Sequence, residues 1–160
     1  MLKTIKSLFF FLTVSAAVAQ QKMPDLILKD LENKDVSIKK DFVEKDKLYI
    51  FSFWATWCGP CIKELEEMAE IQDEWKQNLN LEIVAVSIDD SRTQKRVKPL
   101  VKGKDWNYKV LLDTNQDFKR AMGVVNPPFT MIIKNGKIVY TQNGYTPGSE
   151  QELYNKLKTL

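Results

Sequence analysis

Cys58 and Cys61 are the only cysteines in this 160-residue chain, and they lie two residues apart in Trp57-Cys58-Gly59-Pro60-Cys61. Two thiols at that spacing can close a disulfide, reopen it by exchange with another disulfide, or serve as half of a metal knuckle. A purely structural bridge is the weaker reading, because a loop this short constrains the unfolded chain far less than a long-range bridge does. Histidine is absent, which removes the usual ligands for zinc, copper or haem. No metal and no cofactor beyond the cysteine pair itself is expected, and a redox switch is the better reading.

The residues around the pair suit that chemistry. Leu48 to Phe53 is an almost continuous apolar run, as in a strand buried on both faces. From Pro60 the apolar residues take a helical period through Cys61, Leu65, Met68, Gln72 and Trp75, with an end expected near Asn78. Strand, short loop, paired cysteines and helix place the first sulfur at a helix N-terminus, where free N–H groups and the helix dipole favour an anion. Cys58 is therefore expected to be the thiolate nucleophile and Cys61, deeper on the same face, the resolving thiol. Gly59 leaves the space above the reactive sulfur open, and Pro60 suits a first helical turn because its missing N–H is not needed there. Trp54 and Trp57 flank the loop, either as screens and contact surface for a substrate peptide or, for Trp54, as core packing.

The rest of the chain alternates strands and helices. Two short strands, Leu26 to Leu28 and Val36 to Ile38, form an expected hairpin at the domain edge. Leu81 to Ile88 is a second buried strand, and Asp89-Asp90-Ser91 is expected to cap a helix over residues 92–102. A strand from Trp106 to Leu112 leads to a brief helix ending at Met122. Pro127-Pro128 precedes a strand from Phe129 to Lys134, and Asn135-Gly136 turns it into a strand from Lys137 to Asn143. Gly148-Ser149 starts a last helix, expected over residues 150–160. The fold class is α/β, in one domain over residues 20–160.

Lys3 and Lys6 precede an apolar run from Leu8 to Ala19 that is short of the roughly 20 residues a membrane span takes. Residues 1–19 are read as a signal peptide cut before Gln20, which sends the domain outside the cytoplasmic membrane, periplasmic or otherwise, as a soluble protein. The remaining chain carries 22 basic and 21 acidic side chains. That balance offers no basic field for nucleic acid.

Phe53-Trp54-Ala55-Thr56-Trp57-Cys58-Gly59-Pro60-Cys61 closely resembles the active-site segment of thioredoxins. The Leu26 to Ile38 hairpin, Val84-Ala85-Val86-Ser87-Ile88-Asp89, Val110-Leu111-Leu112-Asp113, and Pro128 ahead of Gly136-Lys137-Ile138-Val139 resemble the exported TlpA/ResA-type branch of that superfamily. The resemblance implies a thioredoxin fold, a central mixed sheet of four or five strands flanked by helices with an extra N-terminal hairpin. It also implies extracytoplasmic thiol–disulfide exchange, in the reducing direction by the Gly-Pro insert. The implied partners are exported proteins with disulfides or thiols and a membrane-embedded thiol reductase as electron donor. The protein is expected to act as a monomer. A thiol oxidase or isomerase of the same fold, or a binding module without turnover, are the alternatives.

The resemblance also assigns Glu64 a part in proton movement near the cysteines. Without it, Glu64 is one of several early-turn acids, with Glu66 and Glu67, lying open to solvent. Ser52 stands where cytoplasmic thioredoxins have a buried aspartate, and Glu66 replaces a helical proline of many relatives, which predicts a straighter helix. In thioredoxins a cis-proline lies eight residues before a glycine turn, and Pro128 has that spacing to Gly136. The Pro127–Pro128 bond is therefore expected to be cis, with Pro127, Pro128 and Phe129 lining a substrate groove beside the cysteines.

Overall fold

The computed structural model describes residues 22–160, so residues 1–19, expected above to be a signal peptide, lie outside the described residues. Seven strands make one mixed sheet, in the order β2-β1-β5-β4-β3-β6-β7. Its interior strand β3 (Leu48–Trp54) is buried along its whole length. It pairs in parallel with β4 (Leu81–Ser87) and antiparallel with β6 (Phe129–Lys134). Strands buried on both faces carry near-continuous apolar sequence, and both β3 and β4 do.

Outward from β4, β5 (Lys109–Leu112) runs parallel to it. The N-terminal hairpin, β1 (Ile27–Asp30) and β2 (Asp35–Ser37), is not a separate appendage, because β1 pairs antiparallel with β5 through Lys29↔Leu112 and Asp30↔Leu111. The sheet of four or five strands is thus extended to seven. On the other side, β6 turns through Asn135 and Gly136, at φ 52° and 71°, into β7 (Lys137–Asn143). Both central positions need a positive φ in that hairpin turn, which Asn-Gly supplies. The outermost strands are the three-residue β2 and the alternately exposed β7.

Four helices flank the sheet: α1 (Gly59–Asn78), α2 (Val97–Gly103), α3 (Asp117–Ala121) and α4 (Ser149–Leu157). The 20 residues of α1 run without a break through Glu66. Its far end is fixed by Trp75, whose ring stacks on Tyr154 of α4 with centroids 5.4 Å apart. Phe42, Phe51, Phe53 and Phe118 join in edge-to-face and tilted contacts beneath the other strands.

Most expected boundaries hold to within a residue or two, and three move by three residues or more. The helix over 92–102 begins as a single tight turn, Gln94–Arg96, before α2. Asp90 holds its own turn by accepting the Arg92 N–H at 3.0 Å, and Pro99 has no N–H to extend the α ladder backward. The strand expected from Trp106 starts only at Lys109, where β4 offers a partner, while Trp106 is buried against Trp54. The last helix ends at Leu157.

Candidate active site

β3 ends at Trp54, and four residues carry the chain over its end into α1. The Cys58 N–H donates to the Ala55 carbonyl at 3.0 Å, closing a tight turn, and Cys58 becomes the N-cap of α1. Its Sγ accepts the N–H of Cys61 at 3.3 Å, the place an Asp or Ser oxygen takes in an ordinary cap. The first sulfur therefore sits among unpaired helix N–H groups, which stabilise a thiolate. Cys58 and Cys61 are joined as a disulfide with their Cα atoms 5.3 Å apart. Cys58 keeps 7% of its surface exposed and Cys61 none.

Trp57 is 57% exposed beside this bridge, whereas Trp54 is fully buried with its ring 5.4 Å from Trp106. Of the two readings of Trp54, core packing is the one realised. Gly59 and Pro60 are exposed, and a Cβ at Gly59 would meet no atom within 4 Å. Nothing in the protein itself crowds that position, so approach to Cys58 is open there.

Glu64 is not a solvated surface acid. It is buried at 3% exposure, and each carboxylate oxygen has a hydroxyl donor: Ser52 Oγ at 3.0 Å on Oε2 and Thr130 Oγ1 at 3.2 Å on Oε1. Burial pushes its pKa up to about 7, against the opposing pull of these two hydrogen bonds. Glu66 and Glu67, by contrast, are half-buried and pair with Lys104 and Lys63. The Tyr108 hydroxyl, just ahead of β5, donates to the Leu65 carbonyl at 2.5 Å, and burial raises its pKa.

The Pro127–Pro128 bond is cis. Phe129 pairs with Phe53, so this bond enters β6 at the end of the sheet where β3 leads toward Cys58. Pro128 is buried, and its carbonyl accepts the Gly144 N–H at 2.9 Å. Pro127 and Phe129 are half-buried.

Three functional features escape a sequence reading. Ser52 lacks an acid's charge yet touches Glu64, and Thr130 completes the pair from 66 positions away. Asp89, expected to cap a helix, instead faces the active-site turn. It accepts the Thr56 N–H at 2.8 Å, the Thr56 hydroxyl at 2.6 Å and the Ser87 hydroxyl at 2.9 Å. The only sequence signal for it is an acid just beyond a buried strand, at the end of the sheet that carries the cysteines.

The Redoxin family model matches residues 18–157. The chain belongs to the Redoxin family, in its TlpA/ResA-type branch. Thiol-disulfide oxidoreductase ResA of Bacillus thuringiensis subsp. konkukian (strain 97-27) is 33% identical to this redoxin over 137 residues, covering 85% of this chain and 76% of that one. ResA of Bacillus subtilis (strain 168) is 33% identical over 122 residues, 76% and 65% of the two chains. Among solved structures, a thioredoxin-like protein from Porphyromonas gingivalis superposes with a TM-score of 0.76 at 43% identity, covering 88% of this chain and 92% of its own. StoA from Bacillus subtilis superposes with a TM-score of 0.65 at 22% identity, covering 82% and 99%, a likeness of fold alone. The thioredoxin fold is thus shown, and with its disulfide at the head of α1 this redoxin carries out dithiol/disulfide exchange. Among the described residues there is no group of three or more side chains that could hold a metal ion.

Proposed function

We propose that this redoxin reduces disulfides of exported proteins outside the cytoplasmic membrane. The observation that carries the roles is the cap: Cys58 Sγ takes the cap position of α1 and retains the exposure, while Cys61 is wholly enclosed. The Cys58 thiolate attacks a substrate sulfur, a mixed disulfide forms, and one substrate thiolate leaves and is protonated. Glu64 then takes the proton of the Cys61 thiol, and the Cys61 thiolate attacks Cys58. The Cys58–Cys61 bond forms, the second substrate thiol is released, and two electrons have passed from the enzyme to the substrate.

Trp57, Gly59, Pro60, Pro127, Pro128 and Phe129 form the substrate-facing surface in this reading. Pro127 has no N–H, so an extended peptide gains only a carbonyl from it, and apolar contact with Trp57 and Phe129 carries more of the binding. The signal-peptide reading of residues 1–19 is part of the same proposal. So is a membrane-embedded thiol reductase as the source of electrons, since an oxidising compartment supplies none of its own. Among the described residues no helix is long and apolar enough to cross a membrane.

The test is a redox titration of the domain against glutathione and thioredoxin couples. A potential close to that of thioredoxin, about −270 mV, supports a reductase, and one near the roughly −120 mV of a dedicated oxidant overturns it.

A further inference from the structure

Glu64 reaches out from α1 to two strands at once. Ser52 of β3 and Thr130 of β6 are direct cross-strand partners, and their hydroxyls lie on opposite oxygens of the one carboxyl group. Both residues are buried, at 0% and 1% exposure. Hydroxyls differ from other polar side chains in being able either to donate or to accept by turning about one bond. Towards an ionised Glu64 both donate. Towards a protonated Glu64 one turns and accepts, so the carboxyl group can keep both of its hydrogen bonds in either state. An aspartate at position 52 would set a second acid against Glu64, and a lysine would fix it as an anion. Two hydroxyls do neither.

We propose that Ser52 and Thr130 are positioning residues that hold Glu64 for proton exchange with Cys61 and set the pH at which that exchange occurs. The inference rests on the acid–base role given to Glu64 above. In the resolving step the Cys61 S–H bond breaks and its proton goes to Glu64, the Cys61–Cys58 bond forms, and the Cys58–substrate bond breaks. The departing substrate thiolate then takes a proton from Glu64 or from water. The other titratable groups facing this pocket are Tyr108, ahead of β5, and Tyr145, in the loop after β7, both close enough to be affected by the charge of Glu64. Burial raises the pKa of each, so both stay neutral across the working range. Lys63 and Glu67 of α1 lie near Tyr145 and pair with each other. Among the described residues no basic side chain hydrogen-bonds to or forms an ion pair with Glu64, so its hydrogen bonds come from the two hydroxyls.

The test follows the Glu64 carboxyl by carbon NMR through a pH titration of the oxidised protein, in wild type, Ser52→Ala, Thr130→Val and Thr130→Ser. Losing a hydrogen bond to the charged form is expected to raise the midpoint by about one pH unit in Ser52→Ala and in Thr130→Val. Thr130→Ser, which keeps the hydroxyl, is expected to titrate as wild type. The rate at which the Cys58 mixed disulfide resolves is expected to follow, falling about tenfold in the two hydroxyl-less variants on the acid side of the new midpoint. Unchanged midpoints in both Ser52→Ala and Thr130→Val overturn the proposal. A midpoint that moves while the resolution profile stays put overturns it too. If Glu64→Gln also resolves at wild-type speed from pH 6 to 9, the acid–base reading of Glu64 is what has failed.

Discussion

Two side chains at the head of α1 differ in accessibility by little, and the proposed order of their reactions rests on that difference. Cys58 is slightly exposed and capped by helix N–H groups, Cys61 enclosed. In the reduced protein, iodoacetamide is expected to alkylate Cys58 at least tenfold faster than Cys61, read by mass spectrometry of the active-site peptide. Equal labelling would contradict the assigned roles. Glu64 makes a second prediction, through stability. Its folded-state pKa of about 7 lies above an ordinary carboxyl value of 4.5, so the folded chain holds the proton more tightly than the unfolded one. Its favourable contribution is complete below about pH 4.5 and is lost as pH rises through about 7. The difference amounts to about 3 kcal/mol. Urea unfolding of the oxidised protein at pH 4.5 and pH 8 measures it, and Glu64→Gln is expected to flatten that part of the profile.

Among the elements, the turn between β3 and α1 is the one that sets the sulfurs in place, and Asp89 at the end of β4 holds it. The Asp89 carboxylate takes three hydrogen bonds, two of them from Thr56. Asp89→Ala leaves the Thr56 N–H and the Ser87 hydroxyl without their acceptor. It is expected to cost about 2–4 kcal/mol in denaturant unfolding and to lower the rate of disulfide exchange. Sequence reading reaches some of this level and not the rest. The apolar run of β3, the helical period of α1 and the Asn135-Gly136 turn are local signals, and the elements stand where those signals put them. The Glu64 cradle is different. Ser52 and Thr130 are ordinary hydroxyl residues inside apolar strands, and only the antiparallel register of β3 and β6 turns them toward the same acid. Asp89 looked like a cap because Asp, Asp and Ser before an apolar period are cap residues. What it meets is the neighbouring β3–α1 turn, which no spacing along the chain encodes. The α-helix after it begins only at Val97, and in the turn ahead of it Asp90 accepts the Arg92 N–H and the backbone N–H groups of Thr93 and Gln94.

For the whole molecule, the N-terminal segment is part of the core rather than an ornament on it. Phe42, between the hairpin and β3, is fully buried with its ring 5.3 Å from Tyr49 and 4.8 Å from Phe51. Phe42→Ala is expected to destabilise the protein by about 3–5 kcal/mol, as a shift in the urea midpoint with an unchanged slope. An altered slope would mean instead that the hairpin unfolds separately from the sheet.

The two ends of the seven-stranded order bear on how such a molecule survives its clients. A partly folded chain presents unpaired backbone, and any long bare strand edge invites it to zip on and stay. Here one border is a strand of three residues, where Asp35 is paired with Lys29. The other, β7, opens with Lys137, is bridged there by Lys22, and follows a register irregularity between Ile132 and Ile133 that bends its partner. The β2 border is too short to be a good template, and the β7 border is bridged at its first residue. Under the reductase reading proposed above, the stay of a substrate would then be governed by a bond that Cys61 can cut, and release would be written into the chemistry of the encounter rather than left to slow peeling of one sheet from another.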